Sequence, residues 1–284
     1  MLSRRCGVLG DPIAHSLSPV LHRAAYAELG LDWTYDAHRV ASGGLGEFVA
    51  GLGEEWRGLS LTMPLKREAL ALVDRLSDRA RLAGAVNTVV LEDDGTRSGD
   101  NTDLPGAVAA IRERTTSPLA TAAILGGGAT ATSVGLALAD LGVTSIVLAV
   151  REEARAAETL TALRSHPSAP EVLVEPITGG RWSERPDPAA VGSTVDVVVS
   201  TIPAVAQTPE LVAACADVPV VFDVLYDPWP TPLAASADGR VLVGGLDLLV
   251  HQAALQVELF TGLPAPLAVM RDAGESALAA RSAG

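Results

Sequence analysis

A glycine-rich segment between an apolar strand and a helix constrains the fold of this chain most. The segment Gly126-Gly-Gly128-Ala-Thr-Ala131 follows a strand predicted over 122–126 and opens a helix predicted over 131–141, which fits G-x-G-x-x-A. There the first glycine permits a tight turn, the second lets backbone approach a pyrophosphate, and the last small residue lets helix and strand pack closely. N–H groups at the helix start favour phosphate. The pattern predicts a dinucleotide site, with a simple tight loop as the alternative.

Apolar, Val-rich runs alternate with helical patterns along the rest of the chain. Strands are predicted over 6–10, 33–40, 58–63, 145–150, 172–177, 195–202 and 218–226, with a hairpin over 87–100. Helices are predicted over 20–29, 103–114, 152–164, 247–261 and 267–280, with another that opens at Pro64 and carries Lys66. Continuous apolar strands separated by helices imply a parallel sheet with covered faces, and therefore an α/β fold. The Pro-containing stretch 181–188 is the best candidate for a linker.

Charge and composition exclude several classes of protein. Asp and Glu (34) outnumber Lys and Arg (21), for a net charge of −13, and this argues against a nucleic-acid binder, which needs a basic face. Two cysteines do not make a disulfide scaffold. The apolar run near the N-terminus is too short for a signal peptide, and no uncharged stretch resembles a membrane span. We therefore expect a cytoplasmic protein with no membrane partner. The five histidines show no metal-ligand spacing, so no metal site is expected.

The chain contains a single lysine. Of its 21 basic residues, 20 are arginine and one is Lys66. Arginine stays protonated, whereas an amine can be tuned to exchange a proton. Lys66 is therefore either an accident of a strong bias toward arginine or a residue whose chemistry arginine cannot perform.

Polar residues follow several of the predicted strands in the first hundred residues, where open α/β sheets bind ligands. They are Ser16, Ser18, Lys66, Asn87 and Asp103. Hydroxyl, amide, amine and carboxylate groups together suit a small polyhydroxylated acid, and a Lys–Asp pair could transfer a proton at a carbonyl or alcohol. Each also has a structural alternative: Ser18 and Asp103 could be helix N-caps, and Lys66 a surface residue.

The end of the second strand after the glycines selects the cofactor. Val150-Arg151-Glu152-Glu153-Ala154-Arg155 places two arginines four residues apart, so on one helical face they could clamp the 2′-phosphate of NADP. The alternative is a solvated helix start, and Glu152 leaves NAD open.

Several segments, taken in order, resemble the shikimate dehydrogenase family. They are Gly10-Asp-Pro-Ile-Ala-His-Ser-Leu-Ser-Pro19, Leu61-Thr-Met-Pro-Leu-Lys66, Ala83-Gly-Ala-Val-Asn-Thr88, Gly99-Asp-Asn-Thr-Asp103 and Gly244-Gly-Leu-Asp-Leu-Leu-Val-His-Gln252. The segment Asp223-Val-Leu-Tyr-Asp-Pro-Trp-Pro-Thr-Pro232 resembles the variant of actinobacterial members. The resemblance runs from residue 7 to about residue 265.

The resemblance implies an α/β fold of two domains. A substrate-binding domain with a mixed, mainly parallel sheet would be built from both chain ends, 1–104 and 245–284, and a Rossmann-type NAD(P)-binding domain over 105–244 would be inserted between them. The implied activity is the reversible NADPH-dependent reduction of 3-dehydroshikimate to shikimate, a step of aromatic amino-acid and chorismate biosynthesis.

The resemblance also implies roles for residues. Lys66 and Asp103 would be the catalytic pair. Substrate would be bound by Ser16, Ser18, Thr62, Asn87, Tyr226 and Gln252. The cofactor would be held by Gly126, Gly127, Gly128, Ala129, Arg151, Arg155, Thr201, Ile202, Leu225 and Gly245.

Two other functions stay open at this point. One is a quinate or dual quinate/shikimate dehydrogenase that uses NAD, and the other is a non-catalytic module that senses NADP. The expected partner is a small-molecule substrate, and the expected assembly is a monomer or a homodimer.

Overall fold

The computed structural model describes residues 3–177 and 195–282. The chain forms two compact units, one of Met1–Gly106 with Leu249–Gly284 and the other of Ala107–Leu248. The sequence had placed the domain boundaries at 104/105 and 244/245. The predicted linker at 181–188 lies outside the described residues.

Among its described residues, the first unit contains six strands, four complete α-helices and parts of two more. The strands are β1 (Arg5–Gly10), β2 (Thr34–Arg39), β3 (Trp56–Leu61), β4 (Arg75–Leu76), β5 (Thr88–Leu91) and β6 (Arg97–Asp100). The helices up to the boundary are α1 (Ser18–Glu28), α2 (Leu45–Ala50), α3 (Asp78–Ala83) and the first residues of α4 (Asp103–Arg114).

The part of the second unit that the structure describes also contains six strands, and the chain then returns to the first unit. The strands are β7 (Thr121–Leu125), β8 (Ser145–Val150), β9 (Glu171–Pro176), β10 (Val197–Ser200), β11 (Val220–Asp223) and β12 (Val241–Val243). The helices are α5 (Ala129–Asp140), α6 (Ala157–Arg164), α7 (Pro209–Ala214) and α8 (Pro232–Ala235). The last two helices are α9 (Gly245–Thr261) and α10 (Leu267–Ser282).

The sheet of the first unit is mixed, with strand order β2-β1-β3-β5-β6-β4. Strand β1 runs parallel to β2 and β3, whereas β5 runs antiparallel to β3 and β6. The amino end of β5 therefore meets the carboxyl ends of β3 and β6, with Thr88 opposite both Ser60 and Asp100. This register brings the residues that follow β3, precede β5 and follow β6 to one edge of the sheet.

The sheet of the second unit is parallel throughout, with strand order β12-β11-β10-β7-β8-β9. The strand order proceeds outward from β7 to β9 on one side and from β10 to β12 on the other, so the topological switch point lies between β7 and β10, as in the doubly wound Rossmann arrangement. Strands β7, β10 and β11 are almost completely buried, because helices cover both faces of such a sheet. The predicted α/β fold, with one mixed sheet and one Rossmann-type sheet, is confirmed.

Three local expectations are wrong. Ser18 does not cap α1, because the N-cap Leu17 already has helical dihedral angles (φ −89°, ψ −7°) and makes no side-chain capping bond. Lys66 does not lie in a helix, because it belongs to a turn that precedes a short 3₁₀ helix at Glu68–Ala71. The Lys66 carbonyl accepts from the N–H of Val86 and not from an N–H one helical turn further along. The helix predicted over 152–164 begins as a 3₁₀ helix at Glu153–Ala156.

Within residues 3–177 and 195–282, none of the helices has both the length and the apolar character needed to cross a membrane. The same part of the chain has no group of three His, Cys, Asp or Glu side chains placed to hold a metal ion.

Candidate active site

A buried ion pair lies at the edge where β3, β5 and β6 meet. Lys66 Nζ donates to Asp103 Oδ2 at 2.6 Å, and the two side chains are only 12% and 8% exposed. Lys66 comes from the turn after β3, and Asp103 is the first residue of α4. The interpretation of Lys66 as a surface residue is therefore wrong. An amine that is paired with one carboxylate and largely shielded from water is suited to moving a proton.

Asn87 orients the carboxylate of this pair. It is 2% exposed and lies directly before β5. Its amide nitrogen donates to Asp103 Oδ1 at 2.9 Å, while its oxygen accepts from the backbone N–H of Thr102 at 2.8 Å. Asp103 thus contacts Asn87 with one oxygen and Lys66 with the other, so its carboxylate has a fixed orientation.

Helix α4 begins without a capping role for Asp103. The side-chain oxygen of Asn101 accepts from the N–H of Leu104 at 3.1 Å. Asn101 is completely buried, and its amide nitrogen donates to the carbonyl of Ala85. Asn101 therefore supplies the bond expected at a helix start, and the carboxylate of Asp103 remains directed at Asn87 and Lys66.

Gln252 reaches the same cluster from α9. Its Oε1 lies 3.5 Å from the amide nitrogen of Asn87, and its own amide nitrogen donates to the carbonyl of Leu249. The close approach of α4 to α9 depends on Gly106, since a Cβ there would lie 2.9 Å from the backbone nitrogen of Gln252. The structure thus brings together Lys66, Asp103, Asn87 and Gln252.

The remaining predicted substrate residues lie in or beside three loops. Ser16 belongs to the loop before α1 and Ser18 is the first residue of α1, and Ser16 Oγ accepts from the N–H of Ser18 at 3.3 Å. Thr62 follows β3, and its N–H donates to the carbonyl of Leu9. Tyr226 lies in the second unit, after β11.

Thr102 is a buried member of the cluster that the sequence did not single out. It is fully buried, and both its N–H and its hydroxyl contact Asn87 Oδ1. The signal was present, since Thr102 lies inside the segment Gly99-Asp-Asn-Thr-Asp103. That Thr102 contacts Asn87, however, depends on the register of β5 and β6, which the sequence does not show.

The glycine-rich turn of the second unit has space for a phosphate group beside backbone. Gly126 has φ +115°, and a Cβ at Gly126 would lie 2.3 Å from Thr201 Oγ1. A Cβ at Gly127 would lie 2.6 Å from the carbonyl oxygen of Arg155. Beside Gly128, the N-cap of α5, a Cβ would meet no described atom within 4 Å. A helix N-terminus next to open space fits a pyrophosphate, with Ala129 as the first helical residue.

Other predicted cofactor residues lie at the carboxyl ends of neighbouring parallel strands. Thr201 follows β10, and both its N–H and its hydroxyl donate to the carbonyl of Leu125 at 2.9 Å. Ile202 comes next and is partly buried. Leu225 follows β11 and Gly245 follows β12, and a Cβ at Gly245 would lie 2.4 Å from the Leu225 carbonyl carbon. Gly245 is therefore needed for this close approach.

Asp223 holds the turn that contains Leu225. Its carboxylate is fully buried and accepts from Leu225 N–H, Gln207 and the hydroxyl of Thr231. Burial raises the pKa of Asp223, and the hydrogen bonds from Thr231, Leu225 and Gln207 oppose the rise without cancelling it. Sequence reasoning missed this residue because its partners come from separate loops.

The two arginines expected to hold a 2′-phosphate follow β8 and are exposed. They do not lie on one face of an α-helix, because Glu152 is extended (φ −132°, ψ 122°) and Arg155 belongs to the 3₁₀ helix. Arg155 Nε lies 3.7 Å from Glu152 Oε2. The clamp geometry predicted from their four-residue spacing is therefore wrong. Both arginines nevertheless lie within a few residues of the end of β8.

Comparison with known proteins identifies the family. Residues 8–89 match the model of the shikimate dehydrogenase substrate binding domain, and residues 245–273 match the shikimate 5′-dehydrogenase C-terminal domain. The chain is 36% identical to the shikimate dehydrogenase (NADP(+)) of Thermosynechococcus vestitus, over 96% of this chain and 95% of the relative.

Solved structures give the same result. The crystal structure of Mycobacterium tuberculosis shikimate dehydrogenase has a TM-score of 0.84 at 40% identity and covers 96% of this chain and 99% of its own. Quinate dehydrogenase from Corynebacterium glutamicum in complex with NAD has a TM-score of 0.83 at 28% identity, covering 96% and 99%. The order of motifs, the mixed and Rossmann-type sheets and the extent of these matches show that the chain belongs to the shikimate dehydrogenase family.

Proposed function

We propose that the protein is an NADP-dependent shikimate dehydrogenase that interconverts 3-dehydroshikimate and shikimate in the biosynthesis of chorismate and aromatic amino acids. The observation that carries this proposal is the buried Lys66–Asp103 ion pair at 2.6 Å, in a cluster with the amides of Asn87 and Gln252. The relative from Thermosynechococcus vestitus bears the name of this activity and of this cofactor.

The reduction needs a hydride at the carbonyl carbon and a proton at the carbonyl oxygen. NADPH supplies the hydride when bound. Lys66 Nζ donates the proton to the oxygen as negative charge develops there, and the alcohol forms. In the reverse direction the neutral amine of Lys66 takes the hydroxyl proton. Asp103 holds the amine in place and balances its charge.

Substrate recognition is assigned to the predicted polar side chains. Ser16 and Ser18 bind the carboxylate, because the hydroxyl of Ser16 lies beside the N–H of Ser18 at the start of α1. The ring hydroxyls are bound by Thr62, Asn87, Asp103 and Gln252, and Tyr226 is assigned to the substrate as well.

Cofactor binding is assigned to the second unit. The turn Gly126, Gly127 and Gly128 with Ala129 receives the pyrophosphate, since backbone and open space meet there. The nicotinamide half of the cofactor would be held by residues that follow β10, β11 and β12, namely Thr201, Ile202, Leu225 and Gly245. Arg151 and Arg155 contact the 2′-phosphate. A cytoplasmic location and a monomeric or homodimeric state stay predictions.

The second candidate is a quinate or dual quinate/shikimate dehydrogenase that uses NAD. It is favoured by one observation, the carboxylate of Glu152 beside Arg155, which would repel a 2′-phosphate. A non-catalytic NADP-sensing module is disfavoured, because such a module would have no use for a buried Lys–Asp pair.

Steady-state rates with two substrates and two cofactors test the proposal. We expect kcat/KM to be highest for shikimate with NADP+. A higher kcat/KM for quinate with NAD+ would establish the second candidate instead, and binding of NADP+ without turnover of either acid would establish the sensing module.

A further inference from the structure

A buried row of polar side chains is connected to Asn87 through the hydroxyl of Thr88. Its members are Tyr35, Ser60, Gln256 and Thr88, which are 0%, 4%, 1% and 0% exposed. Polar groups are rarely placed in a core unless their bonds define one arrangement. The steps assigned above to Lys66 and Asp103 use none of these four residues.

Gln256 connects the two halves of this row. It lies on α9, one helical turn beyond Gln252. Its Oε1 accepts from Ser60 Oγ at 2.7 Å, and Ser60 Oγ accepts in turn from Tyr35 OH at 2.6 Å. Its Nε2 donates to Thr88 Oγ1 at 2.9 Å. Both ends of the Gln256 amide are thereby engaged, which fixes which end is oxygen and which is nitrogen.

This arrangement determines the direction of the next bond. Because the Thr88 hydroxyl accepts from Gln256, its own proton is directed to Asn87 Oδ1, at 2.8 Å. The Thr102 N–H donates to the same oxygen. Asn87 Oδ1 is thus surrounded by donors, and its NH₂ group is turned toward the carboxylate of Asp103.

We propose that Gln256 is a positioning residue, which acts through Thr88 to keep the NH₂ group of Asn87, and not its carbonyl oxygen, facing Asp103. The inference rests on the proposed function, in which Asp103 and Lys66 perform the proton transfer. If the Asn87 amide turned over, its oxygen would face the Asp103 carboxylate, and two acceptors cannot form a hydrogen bond. Asp103 would then move, and Lys66 with it.

Two variants break the row at different points. Gln256→Met keeps the volume and removes both bonds of the amide. Thr88→Val keeps the shape and the strand preference of β5 but removes the hydroxyl that donates to Asn87. We expect each to lower kcat/KM for shikimate about 10-fold or more, because small misplacements of reacting groups cost up to about 100-fold. We expect kcat to fall and KM for shikimate to rise, since Asn87 contacts substrate, with KM for NADP+ unchanged.

Tyr35→Phe is the matched control. It removes one buried hydroxyl from the same row, yet Ser60 can still donate to Gln256. We expect a lower melting temperature with kcat and both KM values near those of the wild type. This separates positioning from simple loss of stability.

The kinetics of the three variants distinguish positioning from a structural role. Folded Gln256→Met or Thr88→Val enzyme with wild-type kcat and shikimate KM would overturn the inference. So would equal kinetic losses in all three variants, or equal losses for shikimate and NADP+, because these indicate a structural role only. A wild-type protein that binds shikimate and NADP+ but turns over neither would instead overturn the proposed function, and this inference with it.

Discussion

Lys66 shows how one residue can be selected by chemistry in a chain that otherwise uses arginine. Its amine lies 2.6 Å from Asp103, and burial limits its exchange with water. Arginine would keep its proton at this position. The sequence left two explanations for the lone lysine, and its position in the polar cluster favours the chemical one.

Replacing the amine should abolish most of the activity. Lys66→Met should lower kcat by about 10²–10⁴-fold, the usual contribution of general acid–base groups, with KM for shikimate largely kept. Lys66→Arg, which keeps the positive charge, should lose activity to a similar extent because guanidinium does not release its proton. Steady-state kinetics would check both variants, and full activity in either one would refute the assigned role.

Arg151 lies at the end of β8 and should discriminate between the two cofactors. Arg151→Ala should raise KM for NADP+ more than KM for NAD+, because only NADP+ carries a 2′-phosphate. Arg164→Ala, an exposed arginine at the end of α6, serves as the control and should change neither. Equal increases in both KM values for Arg151→Ala would point to a structural role instead.

At the scale of elements, helix α1 is joined to the first sheet by a buried histidine. His22 Nδ1 donates to the Ser18 carbonyl at 2.9 Å, and its ring stacks on Tyr35 with centroids 3.9 Å apart. Burial lowers the pKa of His22 to about 4, and the hydrogen bond to Ser18 opposes this only in part. The helix therefore packs on the sheet with a neutral imidazole.

This burial makes the stability of the protein fall in mild acid. The unfolded chain protonates His22 near pH 6.5, whereas the folded chain resists protonation down to about pH 4. The stabilisation is complete above pH 6.5 and is lost as pH falls through 4, at a cost on the order of 3 kcal/mol. His22→Gln should make the free energy of unfolding, measured with urea, depend less on pH between pH 6.5 and about pH 4.

The control for that measurement is His15→Gln. This variant also removes a histidine, from the loop before α1, but it leaves the buried ring of His22 in place, so the loss of stability in acid should remain. A His22→Gln curve as steep as that of the wild type would show that other groups cause the loss in acid.

Elements with a strong local pattern were predicted well. Helix 103–114 and strand 145–150 have the bounds expected from the sequence, because a regular apolar period identifies an element without reference to its neighbours. The turn at Lys66 was not predicted, since it depends on a hydrogen bond from Val86, 20 residues away. The sequence correctly placed the end of a strand shortly before Pro64, but the helix predicted after Pro64 does not form.

At the scale of the whole molecule, the chain forms two units with different sheets, and the first contains both chain ends. The net charge of −13 gives no general attraction for anionic ligands. Binding of a phosphorylated cofactor must therefore depend on placed groups, such as the N-terminus of α5 and the arginines after β8.

Cofactor binding should stabilise the whole molecule by mass action. A ligand at 100 times its Kd raises the free energy of unfolding by about 2.7 kcal/mol. At equal concentrations, NADP+ should raise the melting temperature more than NAD+, which thermal unfolding monitored by circular dichroism would measure. A larger rise with NAD+ would contradict the preference for NADP+.

The sequence by itself determined the α/β class, the glycine-rich turn between a strand and a helix, and the identity of the polar residues that follow the strands. These follow from apolar periodicity and from glycine patterns, which are local properties of the chain. The resemblance already implied the pairing of Lys66 with Asp103. Only the tertiary structure decided that Asp103 takes its orientation from Asn87, and that Thr88 and Gln256 are hydrogen-bonded in a row that ends at Asn87. The physical reason is that β5 runs antiparallel between β3 and β6, and this register joins residues that are far apart in the chain.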